Sequence, residues 1–271
     1  MITNTQKILE ENNIILSKRK SQHYLIDNNK IQQIIDYSNI KSSDVILEIG
    51  AGIGTMTIPL AKKAKKVIAI ESDKKIVEIL EEEIKKESLT NIEIINEDAL
   101  KIDFPPFNKI VSNLPYQISS PITFKILKYD FEEAILMYQE EFANRMNALA
   151  KSRNYSRLSA GLYFRCTTKQ LFKVSPNSFI PKPKVNSMVI SLIPKKHDLP
   201  EIYDDIIRAL FQHKNKKVKK ALIQSCHELN TDKKVLKEKL SKVNNHLFDE
   251  KVFMVSPEEI LEITLIMENL L

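Results

Sequence analysis

Glycine is conspicuously scarce in this chain. There are four among 271 residues, where average usage of about 7% would supply on the order of 19. Cysteine is sparse as well. The two present, Cys166 and Cys226, cannot build a disulfide framework, and neither has a partner at metal-ligand spacing, so no metal site is expected. No stretch approaches the ~18 uncharged apolar residues of a membrane helix. The polar, acidic start, MITNTQKILEENN, lacks the apolar core of a signal peptide. These absences predict a reduced, cytoplasmic chain. With 43% hydrophobic and 28% charged residues, wholesale disorder is excluded, and the length allows one or two domains.

Three of the four glycines, Gly50, Gly52 and Gly54, fall within five residues. The run before them, Asp44–Ile49, reads as a buried parallel strand, and Ile53–Lys63 has helical spacing. A strand, a glycine turn and a helix in succession form a layout in which backbone N–H groups face a ligand. The next strand, Val67–Ile70, ends at Glu71, followed by Ser72 and Asp73. Glu71 lies 21 positions after Gly50, close to the ~20 expected of an acid that grips a ribose diol. Dinucleotide folds place a third glycine after two spacers. Here the pattern is G-x-G-x-G, Thr55 stands at the pyrophosphate position, and Met56 and Thr57 offer no phosphate cradle. The pattern instead resembles the S-adenosylmethionine loop of class I methyltransferases. The plainer alternative is a tight turn in any α/β domain.

The same rhythm continues, with a charged amphipathic helix over Asp73–Lys86, a strand over Asn91–Ile95, and then Asn96, Glu97, Asp98 and Ala99. Methyltransferases of that class hold the cofactor's adenine amino group with an acid at this place. By itself Asp98 reads as a turn residue or helix cap. A fourth strand, Phe107–Ser112, runs into Asn113-Leu114-Pro115-Tyr116. Pro115 stiffens that turn and pushes Leu114 toward extended backbone. The Asn113 amide and the Leu114 carbonyl would then be fixed acceptors, with the Tyr116 ring beside them. The exocyclic amine of adenine is a weak nucleophile because its lone pair is delocalised into the ring. Two acceptors gripping its hydrogens favour a more tetrahedral nitrogen aimed at a sulfonium methyl, so that catalysis comes from positioning and electrostatics. Tyr116 supplies a stacking face for a base taken out of its helix. The alternative is a turn that merely ends a strand.

The chain resembles the KsgA-type family, the small-subunit ribosomal RNA adenine dimethyltransferases, and its archaeal branch in particular. The resemblance spans nearly the whole chain. It rests on Ser21–Asp27 (SQHYLID), Glu48–Gly54, Glu71, Glu97–Ala99, Asn113–Ser119 (NLPYQIS), Tyr138–Ala143 (YQEEFA), Arg157–Ser159 and Asn177–Ser187 (NSFIPKPKVNS). It implies that His23, Leu25, Gly50, Gly52, Glu71, Asp98 and Asn113 contact S-adenosylmethionine, with His23 and Leu25 as a lid and Leu25 acting mainly through its backbone. It also implies that Phe179 sandwiches the target adenine against Tyr116; outside the family Phe179 would read as a core aromatic. His23 replaces an Asn common in bacterial members, and Ser156 stands where a Gly often precedes Arg-Leu-Ser.

Lys182 and Lys184 flank Pro183 in a stiff basic loop and could pair with phosphates. From Lys195 to Lys251 there are 14 Lys/Arg against 9 Asp/Glu, a net of +5 out of the chain's +6. Lys214, Lys216, Lys217, Lys219 and Lys220 fall within seven residues, and Lys18-Arg19-Lys20 add three near the lid. Such runs are commonly solvated helix faces; concentrated here, they point to phosphate contact. No aromatics interleave with them, so recognition by RNA shape is expected. His197, His213, His227 and His246 show neither metal spacing nor a nucleophile. Tyr138 and Tyr155 read as structural.

The expected fold is α/β: a class I, Rossmann-like sheet over residues 1–195, with Leu158–Cys166 and Val185–Ile193 as late strands, the last antiparallel. Lys195–Pro200 marks the boundary to a small basic helical domain over 196–271, which ends in a capped helix from Ser256. The implied activity is dimethylation of two adjacent adenosines near the 3′ end of small-subunit rRNA, by a monomer acting on a pre-ribosomal subunit. Two alternatives are a large-subunit enzyme of the erythromycin-resistance type and an assembly or RNA-binding factor whose methylation is secondary.

Overall fold

The protein is described by a computed structural model covering residues 4–12 and 23–271; Ser21, Gln22 and the Lys18-Arg19-Lys20 cluster lie outside the described residues. In chain order the first elements are α1 (Asn4–Glu11), β1 (Tyr24–Leu25), α2 (Asn28–Tyr37), β2 (Val45–Ile49), α3 (Thr57–Ala61), β3 (Lys66–Ile70), α4 (Lys74–Lys86), β4 (Ile92–Ile95) and β5 (Lys109–Asn113). There follow α5 (Ser119–Ile126), β6 (Glu133–Gln139), α6 (Glu140–Met146), α7 (Arg157–Tyr163), β7 (Cys166–Val174), β8 (Phe179–Ile180) and β9 (Ser187–Pro194). The last four helices are α8 (Tyr203–Phe211), α9 (Val218–Gln224), α10 (Lys233–Ser241) and α11 (Pro257–Glu268). The chain divides into two compact units, residues 1–143 with 168–194, and residues 144–167 with 195–271.

The first unit carries a seven-stranded sheet of order β4-β3-β2-β5-β6-β9-β7. β2 pairs in parallel with β3 (Leu47 opposite Ile68) and with β5 (Leu47 opposite Ile110), and β5 pairs in parallel with β6 (Asn113 opposite Met137). β9 lies antiparallel to β6, with Met188 opposite Tyr138. Parallel strands covered on both faces need continuous apolar runs, and Ile46, Leu47, Ile49, Val67, Ile68, Ile70, Ile110 and Val111 are all buried. Helix starts are set by side-chain caps: Asp27 accepts from the N–H groups of Asn29 and Lys30, and Asp73 from that of Lys75. Because β2 is flanked by β3 and β5, the chain leaves it toward one edge and later returns to the other. The crevice beyond the carboxyl ends of β2 and β5 is then the place where open α/β sheets bind ligands.

Two local expectations are corrected, and one strand is added. The helix predicted over Ile53–Lys63 is confined to Thr57–Ala61, because the left-handed backbone at Gly54 (φ +89°) keeps the preceding residues in the turn. Leu158–Cys166 is not a strand; its greater part is helix α7, where the Ser159 hydroxyl accepts from the Ser156 N–H at 3.2 Å and Leu158, Ala160 and Leu162 are buried. A further strand, β6, occupies the apolar run Glu133–Gln139.

The second unit is built mainly of helices around Tyr155, Tyr203, Leu222, Phe248 and Ile260. Tyr155 and Ala160 belong to that cluster, which draws residues 144–167 into it. The chain therefore passes between units three times, where a single boundary near residue 195 would require one passage. Two buried tyrosine hydroxyls tie the unit together, Tyr155 donating to the Val255 carbonyl at 2.9 Å and Tyr203 to the Ala160 carbonyl at 3.1 Å. At α11, Ser256 and Glu259 satisfy each other's backbone N–H groups reciprocally. No helix among the described residues is long and apolar enough to cross a membrane.

Candidate active site

A cavity of about 410 Å3 opens at the carboxyl ends of the central strands, within the size range of small-molecule sites. Its wall includes His23, Leu25, Gly50, Gly52, Glu71, Asp98, Asn113, Leu114 and Tyr116. Residues far apart in sequence are brought together because β2, β3, β4 and β5 all end on this side of the sheet.

The glycine turn follows β2. Its backbone is left-handed at Gly50 (φ +78°) and Gly52 (φ +58°), which glycine adopts without the penalty that a Cβ would impose. At Gly52, moreover, a Cβ would stand 3.2 Å from the Tyr24 ring. Glu71, at the end of β3, holds this turn. One carboxylate oxygen accepts from the Gly52 N–H at 3.0 Å and the other from the Asp73 N–H at 2.9 Å. Both oxygens keep a second lone pair, so the carboxylate is oriented but not exhausted as an acceptor. Asp98 accepts from the Leu100 N–H through Oδ1 at 3.0 Å, and its Oδ2 lies 3.9 Å from the Lys101 ammonium.

Asn113 is the last residue of β5, and its amide nitrogen donates to the His23 carbonyl at 3.1 Å. With Nδ2 so engaged, Oδ1 is the end of the amide able to accept elsewhere. Leu114 is buried and Pro115 fixes the corner at φ −59°. The Tyr116 hydroxyl shares a 2.6 Å hydrogen bond with the Ser187 hydroxyl at the start of β9. Burial raises its pKa and the Ser187 bond offsets this only in part, so the phenol stays neutral. The His23 ring lies over Tyr116, centroids 5.6 Å apart and planes at 32°. Its Nδ1 donates to the Pro181 carbonyl at 2.6 Å. Leu25 and its neighbour Tyr24 pair with Phe179 and Ile180 as a two-stranded ribbon.

Phe179 does not line the cavity. The pairing of β8 with β1 turns its ring into a core cluster with Leu25, Val174 and Val189, where it is fully buried. The sandwich against Tyr116 that the resemblance implies is therefore not formed in this structure. Lys182 and Lys184 are exposed on either side of the buried Pro183. In the second unit, Lys216, Lys217 and Lys220 are exposed while Lys214 and Lys219 are half-buried. Lys217 pairs with Asp249 at 3.1 Å and Lys216 with the Gln224 side chain, and Lys214 reaches the Tyr155 carbonyl at 3.4 Å. No group of three metal-ligating side chains occurs among the described residues.

Among the wall residues given no role from sequence, Glu48 and Tyr24 stand out. Glu48, in the middle of an apolar strand, is buried with its Oε2 unpartnered, and the Tyr24 hydroxyl is likewise buried without a partner. The signal for Glu48 is an acid inside an otherwise apolar run two residues before the glycine turn. Together the described wall carries five acids, Glu48, Glu71, Asp73, Glu97 and Asp98, and neither lysine nor arginine. Such a cavity suits a ligand that brings positive charge and hydrogen-bond donors.

The sequence model of the family described as ribosomal RNA adenine dimethylase matches residues 15–263. A protein of Methanosphaera stadtmanae named "Probable ribosomal RNA small subunit methyltransferase A" is 61% identical over 269 residues, covering 99% of each chain. Among solved structures, a dimethyladenosine transferase from Plasmodium falciparum superposes with a TM-score of 0.75 at 30% identity, covering 90% of this chain and 97% of that one. The 23S rRNA methyltransferase ErmE superposes with a TM-score of 0.62 at 26% identity, covering 88% and 96%. The mainly parallel sheet with its glycine turn is accordingly a class I methyltransferase fold, and this chain belongs to the ribosomal RNA adenine dimethylase family.

Proposed function

We propose that this chain transfers methyl groups from S-adenosylmethionine to the exocyclic amine of adenosine in small-subunit rRNA, two to each of two adjacent bases, during subunit assembly. The observation that carries the reading is that the Asn113–Tyr116 corner and the glycine turn share one cavity wall with Glu71 and Asp98. The donor set fits the cofactor. Glu71 offers acceptor lone pairs for a ribose diol, Asp98 an acceptor for an adenine amino group, Gly50 and Gly52 close backbone approach, and the acid-rich wall complements a sulfonium and an ammonium. When bound, the cofactor supplies an activated methyl group on a positively charged sulfur.

The protein's own part is positioning. Asn113 Oδ1 and the Leu114 carbonyl accept the two amine hydrogens and aim the nitrogen lone pair along the line of displacement. Tyr116 presents its ring as the stacking face, held by Ser187. Its neutral phenol is no base, and none is required at that ring. His23 and Leu25 close over the cofactor half. Because His23 lies over Tyr116, it must move aside when a base arrives. Lys182 and Lys184 in the first unit, and the lysines from 214 to 220 in the second, serve as phosphate contacts for rRNA.

Labelled methyl groups mapped after incubation with small-subunit particles and, in parallel, with large-subunit rRNA test this reading. Two adjacent dimethyladenosines near the 3′ end of the small-subunit rRNA are the expected product. Label confined to large-subunit rRNA would transfer the assignment to the ErmE-like specificity. Assembly without label would leave an RNA-binding role alone.

A further inference from the structure

The polar atoms that lack partners are concentrated at one place. Among the described residues, the side-chain oxygens buried with no hydrogen bond are Tyr24 Oη, Glu48 Oε2, Thr55 Oγ1 and Thr57 Oγ1. Tyr24, Glu48 and Thr55 line the cavity, and Thr57 opens α3 directly after the glycine turn. Buried polar groups in folded proteins are nearly always satisfied, so a cluster of exceptions points to a ligand. Glu48 is the consequential member because it alone can change charge there near neutral pH.

We propose that Glu48 matches its charge to the cofactor, losing a proton when the cationic sulfonium form enters the cavity and regaining one when the neutral thioether product is left. The inference rests on the S-adenosylmethionine reading above.

Glu48 sits on β2, 2% exposed, with one oxygen unpartnered. A carboxylate at that place in the empty protein would have no counter-ion, since no lysine or arginine lies on the described wall. Glu71 at the end of β3 is negatively charged and acts against ionisation of Glu48. Thr57 on α3 acts in the opposite sense without meeting hydrogen-bond geometry. The other titratable groups on the wall are His23 just before β1, Tyr24 on β1, Asp73, Glu97 and Asp98 after β3 and β4, and Tyr116 after β5; none brings a fixed positive charge. Burial, with Glu71 adding to it, pushes the Glu48 carboxyl up to about 8. At pH 7 the empty protein thus holds Glu48 neutral.

A positive charge brought into the same cavity lowers a carboxyl pKa, so the sulfonium form favours the ionised Glu48 carboxylate. Methyl transfer breaks the S–CH3 bond with its electrons left on sulfur and forms an N–CH3 bond, the amine giving up a proton to solvent. The positive charge at sulfur is then gone, and Glu48 takes up a proton from water. Glu48 is in this sense a positioning residue for charge. It favours the reactive cofactor over the spent one, as an enzyme that transfers repeatedly to one base requires.

Calorimetry of the full chain with S-adenosylmethionine and with S-adenosylhomocysteine, each at pH 7 in two buffers of different ionisation enthalpy, counts the protons. Release of up to about 0.9 proton is expected with the sulfonium form and almost none with the thioether. Proton release on binding means affinity rises with pH, so S-adenosylmethionine should bind more tightly at pH 8 than at pH 6, by up to about 50-fold. The two ligands also differ in the acidity of their own ammonium groups. Glu48→Gln, a near-isosteric neutral side chain, therefore assigns the proton: release should vanish while binding persists. Infrared spectroscopy of the wild-type protein needs no variant, and a buried carboxylic-acid band should disappear when S-adenosylmethionine is added. Binding without proton release, equal release with both ligands, or persistence of the acid band would overturn the inference while leaving the cofactor reading intact. Failure of S-adenosylmethionine to bind at all would instead overturn the cofactor reading.

Discussion

Pro115 lies across Gly50 so closely that its Cδ is 3.0 Å from where a Cβ on that glycine would stand. The turn that approaches the cofactor and the corner that orients the base are thus in van der Waals register, and neither can shift alone. Gly50→Ala would meet a rigid ring and a left-handed backbone together. A cost of about 1–3 kcal/mol is expected, seen as a lower Tm, with weaker S-adenosylmethionine binding measured by calorimetry. An unchanged Tm together with an unchanged Kd would show that the two turns are not coupled.

Asn113 is held by its bond to the His23 carbonyl, so replacing it removes an acceptor that is already aimed. Asn113→Ala should lower the single-turnover methylation rate by about 10²–10³-fold, the range for losing one preorganised polar group. Cofactor affinity should fall much less. If rate and affinity fell equally, Asn113 would only bind and not orient.

Tyr116 separates two contributions. Tyr116→Phe loses the Ser187 hydrogen bond, worth about 0.5–1.5 kcal/mol, and keeps the ring. Tyr116→Ala loses the stacking face, worth about 1–3 kcal/mol per base. The expectation is a loss of a few-fold for Phe and a much larger rise in KM for RNA with Ala. Since burial holds the phenol neutral, Tyr116→Phe should leave the alkaline limb of the pH–rate profile where it was. Displacement of that limb would show that the hydroxyl titrates in the reaction.

The central half of the sheet was readable in the sequence because parallel strands buried on both faces leave continuous apolar runs, as at Val45–Ile49 and Lys66–Ile70. The grouping of His23, Gly50, Glu71, Asp98 and Asn113 on one cavity wall was readable because those strands all end on that side of the sheet. What escaped depends on distant partners. Leu158–Cys166 carries no clean period, and it is helical as far as Tyr163 because Tyr155 and Ala160 pack among helices from beyond residue 200. Phe179 by itself reads as a core aromatic, and pairing with Tyr24–Leu25 does bury it; it was the resemblance that placed it at the site. Glu48 was visible as a residue but not as a chemical group, because its unusual state comes from the loss of solvent and of counter-ions around it.

Glu71 engages two backbone N–H groups with separate oxygens. An amide cannot accept with its nitrogen, so Glu71→Gln leaves either Gly52 or Asp73 without its partner. The turn loosens and the acceptor for a ribose diol is weakened at the same time. S-adenosylmethionine should bind about 10–100-fold more weakly, in keeping with about 1.5–3 kcal/mol for a hydrogen bond to a charged group. Calorimetry measures this directly, and an unaltered Kd would remove Glu71 from the cofactor site.

The lysines from 214 to 220 are not equivalent, and their pairing predicts which ones matter. Lys217 already has Asp249 at 3.1 Å, and Lys216 and Lys214 have acceptors of their own. Lys219 and Lys220 have no ion-pair or hydrogen-bond partner among the described residues. A cation without a protein partner gives a phosphate its full charge, whereas a paired one must first break its contact. Each phosphate contact contributes about 0.7–0.9 to the slope of log K against log salt. Replacing Lys219 and Lys220 by Gln should therefore flatten that slope for rRNA binding by up to about 1.4–1.8, with Lys217→Gln doing less than either alone. Equal slopes for wild type and the double variant would make this helix face a solvated surface and move the RNA contact elsewhere.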